Sequence, residues 1–88
     1  MATLFKTDDT IEEVKPRNGK KFELEEVQKI VGGYVERVRT VGGDTMLINE
    51  EGKRLGLPLN IQATRVYVYG RHDPIVGPAL VVNGREMR

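Results

Sequence analysis

At 88 residues, 39% of them hydrophobic and 31% charged, the chain is sized for one small domain, residues 1–88, with a modest core. A formal net charge of +1 sets up no global field that would draw it to nucleic acid or to an acidic membrane surface. The absence of cysteine excludes disulfides, thiol catalysis and the common zinc sites, and fits a reducing cytoplasm.

Taken in chain order, Ala2 to Lys6 reads as an opening strand and Asp8-Asp9 as a turn. Thr10 to Lys15 reads as a second strand, with Ile11 and Val14 as its apolar content, and Pro16-Arg-Asn-Gly-Lys20 is loop chemistry. In FELEEVQKIVGG, Leu24, Val27 and Val31 recur at i, i+3 and i+7, with Ile30 widening the stripe, which predicts the principal helix. Glutamates sit at its start and Gly32-Gly33 at its end, as the dipole and a C-cap ask.

Tyr34 to Val41 (YVERVRTV) and Asp44 to Asn49 (DTMLIN) read as a hairpin reversed at Gly42-Gly43. Asn49-Glu-Glu-Gly52 is a second turn, with Gly52 able to take positive φ. Around Asn60–Val66 a short second helix capped by Asn60 competes with the β-propensity of RVYVY at 65–69. In DPIVGPALVV, Asp73-Pro74 opens a turn, Gly77-Pro78 breaks the chain, and Ala79 to Val82 enters the sheet as an apolar strand. The sum is an α+β fold: a small, mainly antiparallel sheet of about five strands with one principal helix on one face. So small a domain buries only about 60% of its unfolded surface, so self-association is expected to help it. The start, MATLFKTDD, carries no apolar signal core, and the run Ala79–Val82 is far short of the roughly 20 residues that span a bilayer.

Four segments in this order and spacing, VGGYVE, INEEGKRLGLPLN, the Ala63-Thr64 pair and DPIVGPALVV, give the chain a resemblance over Leu24 to Val82. It resembles the domain-of-unknown-function family DUF3846, carried mainly by bacteriophages, prophages and mobile elements. The resemblance implies a small accessory protein made in the cytoplasm of a bacterial host. It supplies no agreed catalytic residues. Arg37 falls where relatives more often place an aliphatic residue.

No residue pattern builds a reactive centre. His72 is the only histidine and sits beside a turn, with neither a nucleophile nor a metal partner nearby in sequence. Glu12-Glu13 point to opposite faces of a strand, Glu25-Glu26 suit a solvated helix start, and Glu50-Glu51 either line a site or simply belong to a turn. Gly32-Gly33 follows a helix rather than opening one, and there is no Walker or GxGxxG pattern. No catalytic residue, metal or cofactor is therefore expected.

The sharper pattern is Arg37 and Arg39, which on a strand project from one face about 6–7 Å apart. Their guanidinium forks suit a phosphate or carboxylate, although an exposed arginine face on a helix-free side of a sheet, paired with Glu50 and Glu51, explains them as well. With Tyr34, Asn49, Asn60 and Arg71 they form the candidate ligand-binding set. Arg65, Tyr67 and Tyr69 form the candidate partner-binding set, since tyrosine and arginine dominate interface anchors. The primary expectation is a non-catalytic counter-defence protein that sequesters a small phosphorylated or nucleotide signal, as a homo-oligomer. The alternative is an adaptor or inhibitor acting on a host protein. Nucleic acid is disfavoured by the balanced charge.

Overall fold

The computed structural model describes residues 2–83, and its five strands join one sheet. The strands are β1 (Ala2–Phe5), β2 (Ile11–Val14), β3 (Val35–Arg39), β4 (Thr45–Asn49) and β5 (Ala79–Val82), in the order β2-β1-β5-β4-β3. Every pairing is antiparallel. The expected α+β architecture is therefore what forms, with helix α1 (Leu24–Val31) and the short helix α2 (Ile61–Val66).

β5 lies in the middle of the sheet because its apolar run can be buried on both faces. On one face Leu80 packs with Leu47, Val27, Val31 and Phe22 beneath α1. On the other, Ala79 packs with Met46, Ile48, Ala63 and Ile75 beneath α2. One cross-strand row, Leu4–Leu80–Leu47–Arg37, runs across the α1 face and ends in a charge at the outer strand.

One sequence expectation changes, and one turn forms without the freedom its glycine offers. Leu24 is not part of the buried stripe of α1 but is 58% exposed. Phe22, just before the helix, is fully buried instead and shares a cluster with Val27, so the residues flanking the Glu23 cap pin the start of the helix. Gly52 does not take a positive φ. It is small because Val76 crosses it: a Cβ there would stand 2.9 Å from Val76 Cγ2.

The competition over 60–69 resolves by division. Asn60 caps α2 through Oδ1, which accepts the Ala63 amide at 3.0 Å, and the helix runs to Val66. Tyr67 then turns extended and bridges Thr40. The chain leaves that bridge at Gly70, where a Cβ would stand 2.0 Å from the Thr64 carbonyl oxygen.

The family-like segments interlock around Asn60. Its amide donates to the carbonyls of Phe5 and Gly77, each at 2.8 Å, and its backbone amide donates to the Ile75 carbonyl at 2.8 Å. Thr64 Oγ1 accepts the Ile75 amide at 2.9 Å and donates to the Asn60 carbonyl at 2.7 Å. LPLN, Ala63-Thr64 and DPIVG are thus three sides of one buried polar joint. Satisfied buried polar groups of this kind fix a unique arrangement.

Candidate interaction surface

β3 is an outer strand and its sequence, VERVR, sorts charge by face. Val35, Arg37 and Arg39 lie on the α1 side, while Glu36 and Val38 lie on the α2 side with the second core cluster. The arginine face is thus not the helix-free side the sequence suggested. α1 covers Val35 and stops short of the two arginines, which are exposed and form no ion pair among the described residues. Glu51 does not reach them: it accepts hydrogen bonds from the Arg54 guanidinium within its own turn.

The backbone of β3 is half used. Tyr34 accepts the Glu50 amide at 2.8 Å and Thr40 donates to the Asp44 carbonyl at 2.9 Å, so even-numbered residues face β4. Odd-numbered residues face outward. At the far end that outward edge is completed by the chain itself: Val68 donates to the Arg39 carbonyl at 3.1 Å and Val41 to the Val66 carbonyl at 2.8 Å. These bonds frame the Thr40–Tyr67 bridge and set Val68 opposite Arg39. By this alternation the N–H and C=O groups of Val35 and Arg37 point away from β4, and no strand pairs with them on that side among the described residues.

Large apolar side chains gather where that edge is patched. Val41 is 70% exposed, Tyr69 64% and Val68 42%. Tyr69 meets Tyr67 edge to face with ring centroids 5.9 Å apart, so its ring lies toward the α2 side of the edge. Arginine and exposed aromatic and aliphatic groups on one edge are the composition of an interface core. Val41 and Val68 escaped the sequence reading because the bridge that juxtaposes them pairs residues 27 positions apart in numbering, 40 and 67, without a local signal.

The six residues of the candidate ligand set are not brought into one concavity. Asn60 is fully buried with both ends of its amide occupied, so it holds the fold and offers nothing to a ligand. Asn49 is 4% exposed and ties β4 to α1, donating to the Val31 carbonyl at 3.2 Å and accepting the Glu51 amide at 2.8 Å. Tyr34 and Asn49 do share an open hollow of about 290 Å³, with Gln28, Leu55 and the Glu51–Arg54 pair, on which neither Arg37 nor Arg39 borders. Arg71 stands exposed in the turn around 69–73 and borders neither hollow. Of the partner set, Tyr67 is half-buried in the second cluster and Arg65 is exposed at the end of α2.

A second, smaller hollow of about 100 Å³ lies on the α2 side against β3. Glu36, Glu50 and Asp73 border it with Val38 and Tyr67, and Lys53, its one cation, is paired with Asp73. Three carboxylates against one lysine make it hospitable to a basic group and hostile to a phosphate. Among the described residues no cluster of three or more His, Asp or Glu is placed to hold a metal, and no helix is long and apolar enough to cross a membrane.

The family model described as a domain of unknown function, DUF3846, matches residues 4–87. The chain belongs to the DUF3846 family. The match extends the resemblance seen in the sequence from Leu24 back through the β1–β2 hairpin, whose β1 carries the Phe5 carbonyl that Asn60 holds. No curated protein and no solved structure matches the chain.

Proposed function

We propose that this DUF3846 protein is a non-catalytic binding module that docks a partner protein along the β3 edge, through Arg37, Arg39, Val41, Val68 and Tyr69. One observation carries the reading: two exposed arginines without ion pairs among the described residues sit on an outer strand beside a cluster of exposed apolar side chains. Acidic groups on the partner would meet the guanidinium forks, and the valines and Tyr69 would supply apolar contact. With the phage and mobile-element setting that the resemblance implies, the partner we propose is a protein of a bacterial host, met in its cytoplasm and engaged by this chain as an adaptor or inhibitor.

The test is affinity capture with the tagged protein and with Arg37→Ala/Arg39→Ala, whose fold is checked by circular dichroism. Recovery of one host protein at least tenfold lower with the variant supports the edge. Equal recovery removes it.

A second reading keeps the small phosphorylated or nucleotide signal, with a counter-defence role. It is favoured by the same arginines, which form no ion pair among the described residues, and weakened because neither of the two hollows described above borders them. Calorimetry against nucleotides and cyclic dinucleotides separates the two. Binding that disappears in the double variant moves the assignment to sequestration. A homo-oligomer made by pairing β3 with its copy about Arg37 would set two arginines face to face, so self-association would use another surface.

A further inference from the structure

We propose that the partner joins this protein as an added β-strand, pairing antiparallel with Val35–Val38, and that it carries an acidic residue followed directly by a basic one. The inference rests on the β3 edge being the docking surface and names what that edge accepts.

The fold already shows how this edge takes a strand. Residues 66–68 lie antiparallel to 39–41 and supply two hydrogen bonds to outward-facing groups. The chain then turns away, with the Gly70 amide donating to the Tyr67 carbonyl and the His72 amide to the Tyr69 carbonyl. Among the described residues, the rungs at Arg37 and Val35 are left open just where that segment departs. A second segment continuing the same ladder closes four further hydrogen bonds, two at each of these residues, since outward positions in an antiparallel pair exchange both groups.

Side chains of the added strand alternate between two unlike surroundings. A residue opposite Arg37 lies on the α1 side, with Arg39 as its diagonal neighbour, so one carboxylate there meets both guanidinium groups. The next residue lies opposite Glu36, beside the small hollow bordered by Glu50 and Asp73, and a lysine or arginine suits it. The residue before the acid lies opposite Val38 and near Tyr67, where an apolar side chain fits. Since the partner runs antiparallel to β3, its order is apolar, acidic, basic, apolar.

Pairing of two β3 strands is opposed by like charge, and pairing with an uncharged edge leaves the arginines unused. Charged edges of this sort suppress indiscriminate strand addition, and here the charge alternates by face so that one pattern is favoured.

The experiment uses the whole protein, isotopically labelled, and as probe the blocked peptide acetyl-Val-Glu-Lys-Val-Thr-amide, whose first residue lies opposite Val38 and so stops short of Arg39, already paired with Val68. The expected result is saturable binding with amide-exchange protection rising at least tenfold at Val35 and Arg37. A peptide with Glu and Lys exchanged is expected to bind at least tenfold more weakly, and to recover in part on Arg37→Glu/Arg39→Glu, since its Glu still faces Glu36. A peptide N-methylated at Glu and the following Val keeps every charge but loses the donors that face the edge, and is expected not to bind. Equal binding of the N-methylated peptide overturns strand addition while leaving the arginine surface in place. Equal binding of the exchanged peptide overturns the charge order. No binding of the parent peptide at millimolar concentration overturns the strand mode altogether, whereas the surface itself fails separately, through unchanged capture by Arg37→Ala/Arg39→Ala.

Discussion

Arg37 stands directly opposite Leu47 across the β3–β4 ladder, and the leucine has no accessible surface while the arginine is exposed. The apolar row that starts at Leu4 and passes through Leu80 stops between these two side chains. Leu80 and Leu47 on the inner side of that boundary are core, and Arg37 on the outer side is exposed. Leu47→Ala should therefore cost about 2–5 kcal/mol, as large-to-small core changes do, and Arg37→Ala less than about 0.5 kcal/mol. Urea denaturation of both variants measures the contrast directly.

Asn60 should be the costliest polar residue to remove. Asn60→Ala leaves the part-buried carbonyl of Phe5 and the buried carbonyl of Gly77 without this donor, and α2 without its cap. The expected loss is about 3 kcal/mol, a large share of the stability of so small a domain. Thermal unfolding checks it. Binding to the β3 edge, measured well below the melting temperature, should be unaffected.

Gly70→Ala should loosen the segment that patches the edge. The new methyl would meet the Thr64 carbonyl, a backbone atom that cannot swing aside, so the chain around 66–70 must shift. The expected destabilisation is at least about 2 kcal/mol. Its local signature is faster amide exchange at Val41 and Val68, whose hydrogen bonds hold that segment on β3.

The β1–β2 turn gives a pH dependence of definite sign. The Thr10 hydroxyl and amide both donate to Asp8, at 2.5 and 3.0 Å, and hold its carboxyl below the ordinary value of 3.8. A depressed folded value means the contribution is complete above pH 3.8 and is lost as pH falls through the folded value. Lys6 has the opposite sign: Glu12, 2.6 Å away, raises it, so its contribution is complete below 10.5 and fades as pH rises through the folded value. Acid titration of the wild type against Asp8→Ala should show the two stability curves converging below the folded value. Both groups are solvent-accessible, so the separation above it is small.

Much of this architecture was legible in residue order. Turn chemistry at Asp8-Asp9, Gly42-Gly43 and Gly77-Pro78 marked the strand ends, and helical spacing marked α1. The arginine pair was legible too, because i and i+2 on any strand share a face. What stayed hidden depended on contacts between distant positions. Leu24 and Val27 are equally apolar in the string, and only the arrival of Phe22 in the core decides which is covered. Asn60 and Asn49 look like ligand-reading side chains until Phe5, Gly77 and Val31 are seen to occupy them. The hollow on the α2 side combines Glu36, Glu50 and Asp73 from three separate segments, and no spacing rule assembles them.

Residue-by-residue amide exchange along β3 of the free protein tests the open edge most directly. An open edge predicts alternation, with Glu36 and Val38 protected by β4 and Val35 and Arg37 exchanging at least tenfold faster. Equal protection of Arg37 and Val38 in the free protein would contradict it, because the edge would then be covered before any partner arrived.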